Sequence, residues 1–246
     1  MSKRRPVERL DSKPPRNGNL DVKKILITAL ALLALSPVAY GDRTEATVRA
    51  LAPEVPAGAY RLDPSHASLL FRVDHLGFSN YTARFLSFDA DLEFDPDDPA
   101  SSSLTATVDA SSIETDFPFP EQVDFNAQLR GEEWLDAGEH PEMTFRSKKV
   151  VMTGPNTARI EGDLTLRGVT QPMTFDAIFN GGYAGHPMDP QARIGFSAHG
   201  SLLRSDYGMT FGIPEPGSRM GVSDEVDVII EAEFSGPPLK GGSAGN

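Results

Sequence analysis

The sequence predicts an all-β fold of eight antiparallel strands, each apolar on one face only, with a short helix inserted mid-chain. Three observations carry that expectation. From about residue 58 onward, apolar and polar residues alternate with period two, the pattern of a strand with one face in water. Proline- and glycine-containing turns such as "TGPN" (153–156), "RGVTQP" (167–172) and "GGYAGHPMDP" (181–190) separate the segments at short intervals, so neighbouring strands pair as a meander. One stretch, residues 116–140, loses the alternation and is bracketed by Pro118, Pro120 and Pro141. Strands with no helical layer hide their apolar faces either in a two-layer sandwich or in a closed barrel.

Leu69, Phe71 and Val73 share a face of the first strand, with Arg72 and Asp74 opposite. In "RFLSFDADLEFD", Leu86, Phe88, Ala90, Leu92 and Phe94 alternate with Ser87, Asp89, Asp91, Glu93 and Asp95. Leu104, Ala106, Val108 and Ala110 mark the third strand, and Met143 and Phe145 the fourth. Ile160, Gly162, Leu164 and Leu166 mark the fifth; Met173, Phe175, Ala177 and Phe179 the sixth. Ile194, Phe196, Ala198 and Leu202 form the seventh, and Val226, Val228, Ile230, Ala232 and Phe234 the eighth. Within the exception, "EQVDFNAQLR" has helical spacing, with Val123, Ala127 and Arg130 near one face and Gly131 as a stop. The only tryptophan, Trp134, follows it. The inner faces mix bulky Phe88, Phe175, Phe179 and Phe196 with small Ala90, Gly162, Ala177 and Ala198. Such mixing suits a filled interior and a tunnel equally.

A length of 246 residues fits one β domain with tails. Lys23 and Lys24 precede an apolar stretch, Ile25–Leu35, followed by Pro37 and the small residues Ala39 and Gly41. That layout makes residues 23–41 a signal peptide, too short in its apolar part to span a bilayer. It predicts a periplasmic or secreted protein. Residues 1–22 are polar and aperiodic, and read as an over-extended start or a long basic leader; Arg4-Arg5 stands too far upstream to act as a twin-arginine signal. Residues 42–57 read as a linker, 58–236 as the domain and 237–246 as a flexible tail. The absence of cysteine excludes disulfides, thiolate chemistry and a lipidated cysteine. Removing residues 1–41, which carry eight Lys/Arg and three Asp/Glu, leaves 15 basic and 32 acidic side chains, a net of −17. A surface this acidic repels phosphate backbones, so nucleic acid is excluded as a partner.

No catalytic or metal set emerges. His66 and His75 are nine positions apart, so they face opposite sides of a strand and stand about 30 Å apart at full extension. They cannot chelate one ion. His75 shares parity with Phe71 and Val73, which in a barrel would turn it inward near a mouth; the alternative for each of the two is a hydrogen-bonded structural histidine. His140, His186 and His199 stand alone, and Asp89, Asp91 and Glu93 form a solvated stripe. "GGSAG" (241–245) has the spacing of a nucleophile elbow but lacks the strand and helix that motif needs.

Four stretches in order, "YRLDPSHASLLFRVDHLGFSNYTARF", "GDLTLRGVTQPMTF", "ARIGFSAHGSLLRSDYGM" and "VSDEVDVIIEAEF", resemble the YceI family of exported, lipocalin-like, polyisoprenoid-binding proteins. The resemblance spans about Gly58 to Ser235. His66, Phe71 and His75 match the first motif, Leu164, Gly168 and Thr170 the second, Arg204, Asp206, Tyr207 and Gly208 the third, and Asp224 to Val226 the start of the last strand. "NYTAR" (80–84) and "PFPEQVDFNAQL" (118–129) depart from the family pattern.

The resemblance implies an eight-stranded lipocalin-like barrel enclosing an apolar tunnel for a long-chain isoprenoid lipid or isoprenoid quinone. It also implies a homodimer, no required cofactor and no catalytic activity, and it admits a membrane protein as donor or acceptor. The tunnel lining is then Phe71, Val73, Leu86, Phe88, Leu92, Phe145, Leu164, Leu166, Phe175, Ala177, Phe179, Ile194, Phe196, Val228 and Ile230. His75, Arg204 and Asp206 are the candidate headgroup contacts, with Arg204 either facing a quinone or diphosphate oxygen or pairing with Asp206 or another acid. The competing readings are an enzyme acting on a lipid or quinone in the same cavity, and a filled barrel serving as a stress or interaction protein.

Overall fold

The structure, a computed structural model, describes residues 55–238. The segments read as leader, signal peptide and most of the linker and tail, including the 241–245 motif, lie outside the described residues. The rest forms a closed antiparallel β-barrel. Its strands are β1 (Gly58–His75), β2 (Ser79–Phe85), β3 (Phe88–Phe94), β4 (Ser103–Asp109), β5 (Ile113–Glu114), β6 (Glu142–Met152), β7 (Thr157–Leu166), β8 (Val169–Tyr183), β9 (Gln191–Leu203) and β10 (Val222–Pro238). The pairs β2/β3 and β4/β5 are each one strand path interrupted by a break, so eight paths circle the barrel. Closure comes from β1 against β10, in register from Arg61↔Ser235 to His75↔Val222. Closure joins the first and last strands and so removes the two main sheet edges.

The breaks bend the long strands. β1 pairs with β3 through Gly58–Arg61 and with β2 through Leu69–His75. Between them, the β1–β10 register slips at Leu62/Ala67. The facing chain breaks at Leu86–Ser87, and the next path breaks into a 3-10 turn at Ala110–Ser112. The two breaks satisfy each other: Leu86 N donates to Ser112 O, Ser87 N to Ser112 Oγ and Asp109 N to Ser87 O. Extra residues in adjacent strands are the ordinary device for curling a sheet.

The helix α1 spans Phe125–Arg130, shorter than the 121–130 pattern suggested. Asp124 caps it, its carboxylate accepting from Ala127 N at 2.8 Å, and Gly131 ends it. Its buried side chain is Leu129, while Val123 stays outside the helix and 46% exposed, so the expected Val123–Ala127–Arg130 face is not the packed one. Asn126 ties the helix to β5, its Oδ1 accepting from Thr115 N and Oγ1. Together α1 and residues 131–137 cap one end of the barrel. Leu129, Leu135 and Ala137 pack there with Met143, Leu166, Tyr207 and Met209. At the opposite end Val55, Tyr60, Leu62, Ala192, Ile194 and Phe234 make a second compact cluster.

Candidate ligand-binding cavity

The inward faces do not fill the barrel. A cavity of about 690 Å³ runs along it. At the capped end it is bounded by His75, Tyr81, Phe117, Phe125 and Val222, and at the other by Pro96, Pro99, Met152 and Pro155. The lining between is mainly aliphatic and aromatic. Small residues make the space: Ala177 stands opposite Ala158 on β7 and Ala198 on β9, and all three touch the cavity. Across the barrel Ala90 faces Ala106 in the same way. Two glycines let aromatic rings lie against the wall. A Cβ at Gly162 would fall 2.6 Å from the Phe145 ring, and one at Gly200 would fall 2.9 Å from that of Phe175. Those two rings meet edge to face at 5.2 Å. Near the uncapped end Phe94, Phe179 and Phe196 cluster at 5.4–6.0 Å and form a floor beside the opening.

Of the residues assigned to a tunnel from sequence, Phe71, Val73, Phe88, Leu92, Phe145, Leu164, Leu166, Phe175, Ala177, Phe179, Phe196, Val228 and Ile230 all touch this cavity. Leu86 and Ile194 do not. Leu86 is 61% exposed. The inward set reads Tyr81, Ala83, Phe85, then Phe88, Ala90, Leu92, a spacing of three at the break. Period-two alternation carried back from Phe88 puts Leu86 inside; the extra residue turns it out. Ile194 is 1% exposed but lies beyond the phenylalanine floor, packed with Val55, Tyr60, Ala192 and Phe234.

The headgroup candidates separate. His75 is exposed at the capped-end mouth and touches the cavity. Asp206 is exposed on the outside of the barrel in a shallow recess with Gln171, Tyr207 and Glu225. Arg204 touches the cavity but is 2% exposed. Its Nε donates to Ser223 O, Nη1 to Met209 O and Phe211 O, and Nη2 to Val222 O, each at 2.8 Å. Its guanidinium lies 5.3 Å from the centre of the Trp134 ring. It makes no ion pair with Asp206. Burial lowers its pKa and the charge of Asp224 works against that shift, while Asp224 itself accepts from Ser205 N and Oγ. Four of its five N–H groups are therefore spent holding the β9–β10 connection in place. Burial, with Asp206 nearby, pushes the neighbouring Tyr207 phenol up to about 12.

His66 sits midway along β1, in the stretch where the β1–β10 register slips. Its Nδ1 is 3.1 Å from Asp63 Oδ2, and Asp63 also accepts from Ser65 and Arg193. These bonds, Ser65 first and His66 second, hold the Asp63 carboxyl far below the usual range. Among the described residues no three His, Asp or Glu converge as a metal site.

The cap contributes lining that alternation did not reveal: Phe117, Phe125, Leu129, Trp134 and Leu135. A signal existed in the aromatic content of an otherwise polar insert. Val150 and Met152 also line it, outside the period-two pattern because β6 slips register at Ser147/Lys149 and Lys148-Lys149 interrupts the alternation.

Comparisons with known proteins agree with this architecture. The chain is 36% identical over 194 residues to a UPF0312 protein of Vibrio parahaemolyticus, covering 76% of this chain and 95% of that one. It superposes on Burkholderia cenocepacia BcnA with a TM-score of 0.59 at 23% identity, over 70% of this chain and 98% of that one. For the Campylobacter jejuni YceI protein the values are 0.56 and 26%, over 67% and 90%. A polyisoprenoid binding domain from Saccharophagus degradans shares the fold, with a TM-score of 0.53 at 13% identity, over 74% of this chain and all of that one. Residues 60–234, from the buried Tyr60 of β1 to Phe234 of β10, match the YceI-like domain, and the chain belongs to the YceI family.

Proposed function

We propose that the protein is an exported carrier that holds one long-chain polyisoprenoid or isoprenoid quinone in the barrel cavity. The observation that carries this reading is the cavity itself: about 690 Å³, elongated and lined mainly by apolar side chains. Burying each methylene-sized unit of such a chain contributes about 0.8 kcal/mol before ordering costs. A polyprenyl tail suits that lining because it makes no demand for hydrogen bonds. The Saccharophagus domain lends the shared fold to this reading; the chemistry rests on the cavity. Export rests on the signal-like segment at 23–41, and a homodimer rests on the family resemblance alone. Delivery to a membrane protein would follow from the insolubility of the cargo.

The single tryptophan tests the proposal. Trp134 lines the capped end of the cavity. Titration of lipid-free protein with an isoprenoid quinone should quench its fluorescence saturably at one equivalent per chain. A soluble quinone headgroup without a tail should quench only weakly at the same concentration. Equal quenching by both, or none by either, contradicts the reading.

A further inference from the structure

Exposed large apolar side chains gather around the capped-end mouth, on two lips. The first lip is the β1–β2 turn and the β9–β10 connection. Phe78 is 83% exposed, Met220 76% and Phe211 48%. These segments are joined, with Leu76 N donating to Gly221 O at 3.0 Å. The turn is a held shape: Leu76 and Gly77 both have positive φ, 60° and 71°, a conformation a leucine adopts only under constraint. A Cβ at Gly77 would fall 2.8 Å from the Arg219 side chain, so the turn sits tightly on the connection. The second lip carries Phe119, 50% exposed, and Val123, 46% exposed.

An unbroken aromatic path leads inward from that second lip. Phe119 meets Phe117 at 6.0 Å, Phe117 meets Phe125 at 5.5 Å, and Phe125 meets Tyr81 at 5.8 Å. The last three touch the cavity. The second lip is thus continuous with the interior, and the first reaches it through Phe211, whose ring meets that of cavity-lining Trp134 at 5.6 Å.

We propose that this rim is a docking surface for a lipid bilayer, inserting Phe78, Met220, Phe211 and Phe119 among the headgroups so that a lipid passes between bilayer and cavity without crossing water. The purpose of the docking rests on the carrier reading; its geometry does not. Contiguous exposed apolar surface rimmed by polar residues marks membrane or partner sites, and shallow insertion of such side chains gives reversible binding. The continuity with the cavity selects the bilayer, because a lipid cargo resides there. The net charge of −17 left once residues 1–41 are removed selects the mode. That net charge disfavours electrostatic capture by anionic headgroups despite Arg219 on the first lip, so insertion drives the contact.

The test uses lipid-free protein and phosphatidylcholine vesicles containing no isoprenoid, with sedimentation as the readout. The wild type should partition onto the vesicles, and high salt should not release it. Phe78→Ser, Met220→Ser and Phe119→Ser combined should weaken partition by roughly a hundredfold, since three large apolar groups are lost from the contact. Its melting temperature and its equilibrium quinone quenching should be unchanged, and quinone transfer from loaded vesicles should slow in proportion. Met188→Ser is the control, 92% exposed in the β8–β9 connection at the other end of the barrel, and should leave partition intact. Wild-type protein that stays in the supernatant overturns the proposal and points to a protein acceptor. So does a triple variant that partitions normally, a Met188 variant that loses as much, or a salt-sensitive preference for anionic vesicles. Vesicle docking by a protein that binds no isoprenoid would sink the carrier reading alone. Cargo binding without docking would sink this proposal alone.

Discussion

Ala177→Trp on β8 is the sharpest perturbation of the cavity. Ala177 is 6% exposed, and it stands between Ala158 and Ala198, so three small side chains in a row line the cavity on that wall. An indole there projects into open space rather than into packed side chains. It should displace three to four methylene-sized units of a threaded chain. At about 0.8 kcal/mol per unit the loss is about 3 kcal/mol, more than a hundredfold in affinity. The fold should tolerate it. Overpacking a dense core costs about 1–3 kcal/mol, and the 690 Å³ of free volume removes most of that penalty. The assay is organic extraction and mass spectrometry of natively purified wild type and variant, with melting temperatures measured in parallel. Ile178→Trp, one residue on and 46% exposed on the outer wall, is the matched control and should retain cargo. A variant with wild-type stability and wild-type cargo would refute the reasoning, because the chain could not then lie along this wall.

Arg204→Met should destabilise by more than about 3 kcal/mol in denaturant titration, since the carbonyls of Ser223, Met209, Phe211 and Val222 all lose their donor. Unchanged stability with lost cargo would instead make Arg204 a ligand contact. The Asp63 carboxyl titrates below its unfolded value, so its contribution is present above about pH 4 and is lost as pH falls further. Asp63→Asn should therefore cost about 1–3 kcal/mol at neutral pH and flatten the acid limb of the stability curve. Parallel acid limbs would show that this cluster contributes nothing. Gly236→Ala should also destabilise, by about 1–3 kcal/mol, because its Cβ would stand 2.0 Å from the ring of buried Tyr60. A neutral thermal shift would mean that β10 moves aside there.

What the sequence made legible was the period of the strands. On β8 the inward set Met173, Phe175, Ala177 and Phe179 reads off without error, because no bulge interrupts it until Phe179/Gly181. What it hid were the insertions. One extra residue at Leu86–Ser87 and another at Ser147/Lys149 invert parity beyond them, and no residue type there announces the slip. The Phe145–Gly162 contact illustrates a third kind of information. A glycine in a strand signals close approach, but only tertiary packing says that a phenylalanine ring is what approaches. The role of Arg204 was illegible for a related reason. A lone arginine beside an aspartate reads as an ion pair, whereas its partners are main-chain carbonyls, which sequence does not distinguish. The cap was visible as a break in alternation, and its contribution to the cavity wall only as surplus phenylalanine and tryptophan.

The most direct measurement is mass spectrometry of an organic extract from protein purified out of its own compartment without detergent. A polyprenyl chain or isoprenoid quinone recovered at close to one per barrel is what this account predicts. An empty extract, or a polar metabolite in its place, would contradict it.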